Sequence, residues 1–435
     1  MYAHTQRFLA RNQTMVKMVT SRRPSMLTCL TTAAATAASF SGSATFPAVM
    51  AFTTAPTATT TGLHVMKKSR DIAFMRSDVL YMSTSSTAED EAAIANGISR
   101  IDTLTTLLTK YGAPGSEGCL LDSDDDSIVP ITDHSDPELL NLHPHLYPLA
   151  RSTKSGNYIC ALRRAYADDA DYESSTNAPW PIVEGKLNGP GMKLLALNSE
   201  HLMRRIACEA DDSGDEDIVA LYNEGLGEGI LKDKGLDSPY QPGDVAKLGY
   251  GVEKYVLLRV GPFPDLYVQM SQQHKSRGDE SSALIAAEAA NGKFPGFGSL
   301  FASYAKLMST LPNREEETRD AARMCLRMPL PSMGMTEEDF AEVSRLAGLA
   351  DEKDSTEEAM AKLQAMYEKI RKHEQDQNEG ESSGISPQQE AIEDANHILD
   401  TTALSGSNWS EVRPKLAEIY RSVGKEDMAK FVESN

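Results

Sequence analysis

The stretch AAIANGISRIDTLTTLLTKY, residues 92–111, indicates most clearly which kind of fold this chain adopts. Its large apolar residues recur every three or four positions, and that spacing places them on one face of an α-helix. These residues are Ile94, Ile98, Ile101, Leu104, Leu107 and Leu108. The sequence Gly-Ala-Pro-Gly at 112–115 cannot continue a helix, so we predict that the helix ends at Tyr111.

The same helical spacing returns along most of the chain that follows. It predicts helices over residues 192–208, 218–231, 244–260, 265–275, 280–290, 299–311, 313–328, 336–349 and 355–373. Asn313 stands where an N-cap belongs, because three glutamates fill the turn after it. The run Thr-Glu-Glu-Asp at 336–339 predicts a capping box at the start of the next helix. Two short β-favouring runs, residues 158–162 and 255–260, lie in helix-compatible surroundings, so we expect a strand content near zero.

These patterns predict a mainly α fold, an irregular array of helical hairpins with a small C-terminal helical module. No repeat of roughly 20 to 50 residues is visible. The predicted parts are a main domain at 83–373 with a loop-rich region at 112–157, a flexible acidic linker at 374–386 and a three-helix module at 387–435. Trp409 opens an apolar stripe in that module, which is too small to be stable by itself. We therefore expect the module to dock on its own body, which we favour, or on a partner.

The charge distribution separates the first 82 residues from the rest. They contain nine Lys or Arg and two acidic residues, a balance of +7, whereas the whole chain has a net charge of −20. The remainder therefore carries −27, which repels phosphate backbones and argues against a nucleic-acid partner. Past residue 82 no apolar run approaches roughly 18 residues, so we predict a soluble chain with no integral membrane segment.

Residues 1–82 have the composition of a targeting presequence. A basic patch at 17–23 precedes a short apolar region, and Phe52 leads into a Thr-rich spacer and a second basic patch at 67–76. This order resembles the bipartite presequence of nuclear-encoded plastid proteins in algae with secondary red-lineage plastids, in which a transit peptide that opens with an aromatic residue follows a signal peptide. The resemblance implies a protein of the plastid stroma. A mitochondrial presequence or a disordered tail is the alternative.

Two motifs match metal sites only in part. Asp122, Asp124 and Asp126 repeat the first ligand positions of an EF-hand loop, but the required glycine is missing and we favour a solvated acidic loop. His143 and His145 flank a proline without a third ligand at recognisable spacing, so we place them in a surface loop. The five cysteines are scattered and contain no C-x-x-C pair. We expect no metal and no cofactor.

The titratable residues of one predicted helix are candidates for acid/base chemistry. Glu200, His201 and Arg204 lie close together in the sequence. Glu200 and Arg204 are four residues apart, which favours an ordinary surface ion pair. The sequence does not identify a catalytic residue.

Two loops carry distinctive residues. One, the Trp180 loop at 175–181, places a tryptophan between two prolines. The other, Gly-Lys-Phe-Pro-Gly-Phe-Gly-Ser at 292–299, leads directly into a predicted helix without the order of a Walker A loop. Free N–H groups at that helix start could bind an anion beside the lysine, but a serine N-cap with two packed phenylalanines is the favoured interpretation. The candidate residues for contact with a ligand or partner are Trp180, Lys293, Phe294, Phe297, Ser299 and Trp409.

The sequence favours an interaction protein over an enzyme. We predict a plastid interaction or assembly factor that acts on a protein partner such as a photosynthetic or gene-expression complex. The alternative is an enzyme, or a protein that binds a small ligand or anion between the Trp180 loop and the loop at 294–299. The structure would favour the enzyme if Lys254, Arg259 or Lys293 lay in a cleft beside an acidic residue of shifted pKa. A flat, exposed apolar patch would favour the interaction protein.

Overall fold

The computed structural model describes residues 88–121, 127–165, 179–224, 226, 239–294, 296–380, 386–406 and 408–434, with only the backbone of 88–91 and 373–380. The predicted presequence, the EF-hand-like aspartates at 122–126 and the first part of the Trp180 loop lie outside these ranges. Helices dominate the described residues, which confirms the mainly α prediction. All of these residues belong to one compact unit.

The stretch at 92–111 forms parts of two helices where one was predicted. These are α1, Ala88–Gly97, and α2, Ile101–Tyr111. Between them Arg100 takes a left-handed backbone conformation with φ 50°, which carries its side chain to Glu200. Gly97 is required at the break, because a Cβ there would lie 2.3 Å from the Trp180 indole. The break is therefore a consequence of tertiary packing.

A five-stranded antiparallel sheet follows, in the order β1-β2-β3-β4-β5. The strands are β1 Ile128–Pro130, β2 Leu146–Ser152, β3 Tyr158–Leu162, β4 Ile182–Gly185 and β5 Met192–Ala196. The expectation of near-zero strand content is therefore wrong. Two strands lie wholly in the predicted loop region at 112–157, and another occupies the start of the predicted helix at 192–208. Of the two β-favouring runs, 158–162 is a strand and 255–259 is helical.

Strands β2 to β5 show little alternation because both faces of the sheet are buried there, whereas Val129 of the edge strand β1 is 47% exposed. Along β3, Ile159 and Ala161 pack in the larger of two core clusters, whereas Tyr158, Cys160 and Leu162 pack in the smaller one. A strand covered on both faces shows a short continuous apolar run, which periodicity cannot distinguish from a buried piece of helix.

Ten helices connect the sheet to the C-terminal module in the described part of the chain. They are α3 Ser199–Ser213, α4 Glu216–Glu224, α5 Asp244–Leu248, α6 Val252–Arg259, α7 Pro264–Ser276, α8 Glu280–Lys293, α9 Ser299–Ser309, α10 Glu315–Cys325, α11 Glu337–Leu346 and α12 Thr356–Gly380. Short 3-10 turns lie at Pro137–Asn141 and Leu330–Ser332. α12 continues to Gly380, so the first part of the predicted linker at 374–386 is helical.

The helix starts follow ordinary capping chemistry. At α11 the Thr336 side chain accepts from the Asp339 backbone N–H, and the Asp339 carboxylate accepts from the Thr336 N–H, which confirms the predicted capping box. The N-cap of α10 is Arg314 and not Asn313 as predicted, because Asn313 takes a left-handed conformation with φ 56°.

The C-terminal module consists of three helices, here called the tail helices: α13 Pro387–Ser405, α14 Trp409–Ser422 and α15 Glu426–Ser434. Their apolar side chains, among them Leu416, Tyr420 and Phe431, belong to the larger core cluster together with residues of the sheet and of α2. None of the described helices is long and apolar enough to cross a membrane.

Candidate functional site

Trp409 anchors the tail helices to the sheet of its own chain. Its side chain is 1% exposed, and its indole N–H donates to the backbone oxygen of Gly189 at 2.8 Å. The indole also meets the ring of His143 edge-on, with ring centroids 4.7 Å apart. Gly189 lies between β4 and β5, so this predicted contact residue faces the body of its own molecule.

His143 and His145 are buried under the tail helices and do not lie in a surface loop as predicted. The Nε2 atom of His145 lies 2.7 Å from the Tyr420 hydroxyl of α14. Burial, with Arg413 nearby, lowers the pKa of His145 to about 3 and that of His143 well below its usual value. Both rings are therefore neutral at physiological pH. The described residues contain no group of three potential metal ligands. The ring of His143 packs on Trp409, and that of His145 on Tyr420.

A buried arginine ties the tail helices to the body. Arg413 donates from its guanidinium to the backbone oxygens of Leu140 and Leu142, each at 2.8 Å, and of Val432 at 2.6 Å. Burial lowers its pKa to about 10, so the side chain stays charged at neutral pH. The oxygens belong to the turn before β2 and to α15, and one side chain thus joins three segments.

The acid/base candidates of α3 are turned into the core. Glu200, 3% exposed, pairs with Arg100 at 2.7 Å, so the predicted surface pair with Arg204 is wrong. Arg204 lies over the Tyr222 ring, with its guanidinium carbon 5.5 Å from the centroid, and His201 is buried as well. The i,i+4 pairing rule describes an isolated helix; here the left-handed turn before α2 supplies another partner. These groups hold α2 and α4 against α3.

The structure does not bring the two candidate loops together. Trp180 is buried in the larger core cluster, where its ring meets Phe431 of α15 edge-on with centroids 5.8 Å apart. Phe294 and Phe297 are buried in the smaller cluster. Among the described residues of the two loops, Trp180 and the two phenylalanines therefore lie in different core clusters.

The start of α9 packs against the turn at Leu330–Ser332 and Met333. Its N-cap is Gly298 and not Ser299 as predicted. The Gly298 N–H donates to the Ser332 hydroxyl at 3.3 Å, and a Cβ at Gly298 would lie 3.0 Å from the Met333 side chain. Lys293, the last residue of α8, is exposed.

A cleft of about 230 Å³ lies between α7, α8 and α9. Its apolar lining consists of Tyr267 and Val268 of α7, Ala287 and Ala290 of α8, and Leu300 and Leu307 of α9. α8 reads ESSALIAAEAANGK, and its alanines fill little of the space that longer side chains would occupy between packed helices. The cleft exists because this alanine-rich helix faces two helices with larger side chains.

Two lysines border the cleft, and their charges are balanced differently. Lys306 of α9 lies 2.8 Å from an Asp339 oxygen and 2.7 Å from a Glu342 oxygen, and these carboxylates offset its charge. Lys275 of α7 donates to the Thr310 hydroxyl at 2.6 Å, and no salt bridge joins it to a carboxylate within the described ranges. Within the described part of the chain, the cleft therefore combines an apolar floor with one lysine that forms no salt bridge.

Sequence reasoning missed this cleft, because helical periodicity shows which face is buried but not how well that face is filled. The alanines at 283, 286, 287 and 290 are the signal that was available. Small residues on a buried face leave space only if the opposite helices do not fill it, and that depends on the tertiary structure.

The regions that match known protein families include both the cleft and the tail helices. A family model described as PAB middle domain matches residues 264–350, and one described as PAB C-terminal domain matches residues 363–435. A protein of Arabidopsis thaliana named "Protein IN CHLOROPLAST ATPASE BIOGENESIS, chloroplastic" is 29% identical in an alignment of 263 residues, which covers 58% of this chain and 72% of that protein. No solved structure matches the chain.

Proposed function

We propose that this protein is a plastid assembly factor that binds a protein partner during biogenesis of the chloroplast ATPase. The observation that carries the proposal is the similarity over 263 residues to the Arabidopsis protein named for that process. The matched domains include the cleft between α7 and α9 and all three tail helices. An assembly factor needs a stable body and a surface for its partner. The described residues form one compact unit, and the cleft is the candidate surface.

The geometry favours binding over catalysis. The titratable groups of α3 serve as buried structural contacts, and Glu200 is joined to Arg100 by two hydrogen bonds at 2.7 and 2.9 Å. The two histidines beside the tail helices are held neutral by burial. The sequence offered the side chains of α3 as acid/base candidates, and their contacts keep elements of the fold together.

We place the protein in the plastid stroma. The chloroplastic relative supports plastid targeting, and the basic presequence-like segment at 1–82 supports import from outside the organelle. The bipartite form of that segment, with Phe52 at the start of the transit peptide, is part of the proposal. A net charge of −27 after residue 82 makes a nucleic-acid partner unfavourable.

The test is affinity purification of the epitope-tagged full chain from isolated plastids, followed by quantitative mass spectrometry. We expect subunits of the ATPase to be enriched over a control in which an unrelated tagged stromal protein is purified. Depletion of the protein should lower the amount of assembled ATPase on native gels while its subunits are still synthesised.

Two results would contradict the proposal. One is normal ATPase assembly after complete depletion of the protein. The other is recovery of the tagged chain without any ATPase subunit, under conditions in which a known ATPase-binding protein retains its partners.

A further inference from the structure

We propose that the cleft between α7, α8 and α9 binds a segment of the partner protein in which an aromatic side chain is flanked by acidic residues. This inference rests on the proposed function, because it identifies where and by what chemistry an assembly factor of this structure holds its partner.

The size of the cleft suits one aromatic side chain. A cavity of about 150 Å³ lined by Leu, Ile and Phe is large enough to bind benzene, and this cleft measures about 230 Å³. Its walls include Leu300, Leu307, Val268 and the ring of Tyr267, which can meet an inserted ring edge-on. Burial of a phenyl group from a partner would cover this apolar surface.

The positive charge at the cleft favours a partner segment with an acidic residue next to the inserted aromatic residue. Lys275 borders the cleft, and its ammonium group donates to the neutral hydroxyl of Thr310. An ammonium group has three donors, so Lys275 can also donate to a carboxylate. Lys306 cannot do so equally well, because Asp339 and Glu342 already accept from it.

The overall charge makes this preference unusual and therefore diagnostic. A chain of net charge −20 repels acidic peptides in general. Preference for an acidic peptide over its neutral isostere therefore requires a local positive site, and Lys275 is such a site in the cleft.

The experiment measures binding of three capped tripeptides to the purified full chain by ligand-observed nuclear magnetic resonance. They are acetyl-Asp-Phe-Asp-amide, its neutral analogue with Asn in place of Asp, and its analogue with Ala in place of Phe. We expect the first to bind about three- to fivefold more tightly than the Asn peptide, the range of a partly exposed ion pair, and at least about tenfold more tightly than the Ala peptide.

Substitutions then locate the site. Ala287→Leu should fill the cleft and weaken binding of the Phe peptides at least about tenfold, whereas Ala289→Leu, at an exposed position of the same helix, should leave it unchanged. Lys275→Gln should make the Asp and Asn peptides bind equally, and Lys353→Gln, at an exposed site in the turn before α12, should preserve the difference. If Ala287→Leu does not fold, the comparison of Lys275→Gln with Lys353→Gln still tests whether the peptides bind in the cleft.

The inference is overturned if the Phe and Ala peptides bind equally tightly, or if the Asp and Asn peptides do. It is also overturned if the Lys275→Gln variant binds the Asp peptide as tightly as the parent does and still prefers it to the Asn peptide. Tighter binding of decanoate than of the acidic Phe peptide would assign the cleft to a lipid-like anion and overturn it as well. If ATPase subunits co-purify with the chain but the peptides bind equally, the inference about the cleft is wrong and the proposed function stands. If the peptides are distinguished but no ATPase subunit co-purifies, the assignment to the ATPase is wrong and the inference about the cleft stands.

Discussion

At the scale of single residues, Trp409 makes two different contacts with the body. Its indole N–H satisfies the backbone oxygen of Gly189, and its ring packs on His143. Trp409→Ala would remove both contacts and leave a cavity, so we expect the free energy of unfolding to fall by about 3–5 kcal/mol. Denaturant titration of the full chain measures this change.

The matched comparison for Trp409 is Tyr250, an aromatic residue that is 63% exposed. We expect Tyr250→Ala to change the free energy of unfolding by less than about 0.5 kcal/mol, as surface substitutions usually do. Equal losses in the two variants would show that Trp409 does not anchor the tail helices.

Asp400 of α13 gives stability a defined pH dependence. Its carboxyl group is enclosed near the turn at Leu330–Ser332 and accepts from the Leu330 N–H at 2.8 Å. Burial raises its pKa to about 7, whereas an unfolded aspartate has a pKa of about 3.9. Between pH 4 and 7 the unfolded chain releases this proton and the folded chain keeps it, so the Asp400 contribution to stability falls as pH rises and is constant above about pH 7.

Asp400→Asn should remove this pH-dependent loss of folding stability, while the side-chain amide oxygen still accepts the hydrogen bond from the Leu330 N–H. We expect the variant to gain stability over the parent as pH rises from 4 to 8, by about 2–4 kcal/mol at the upper end. Denaturant titrations at several pH values measure the gain. Asp394→Asn on the same helix, whose carboxylate pairs with Arg371 at the surface, should change stability by less than about 1 kcal/mol at any pH. A gain that does not grow with pH would contradict this assignment.

At the scale of elements, the tail helices cover apolar surface of the body. Their residues Leu416, Tyr420 and Phe431 share one core cluster with Leu149, Ile182 and other sheet residues. Deletion of 387–435 should therefore lower the melting temperature and increase binding of a dye that reports exposed apolar surface.

Deletion of 1–82 is the comparison for this truncation, since those residues have the composition of a removable presequence. We expect it to leave the melting temperature unchanged. If loss of the tail helices leaves both melting and dye binding unaltered, the interface centred on Trp409 and Arg413 does not stabilise the body.

At the scale of the whole molecule, the change of charge near residue 82 predicts where the mature chain begins. The first 82 residues carry +7 and the remainder carries −27. We expect the accumulated protein to start within several residues of Ser83. Terminal peptide mapping of protein from isolated plastids tests this, and recovery of Met1 or of residues around Thr20 would refute it.

The amino-acid sequence by itself determined the features that depend on neighbours a few residues away. The spacing of Leu104, Leu107 and Leu108 predicted a helix, and the Thr336 capping box predicted where another begins, because both arise from contacts within one or two helical turns.

The tertiary structure decided the features that depend on residues far apart in the sequence. The sheet has two buried faces and so lacks an alternating pattern, Glu200 pairs with Arg100 across 100 residues, and Trp409 meets Gly189 across 220. The cleft likewise depends on how three helices pack, since the alanines of α8 leave space only where α7 and α9 do not fill it.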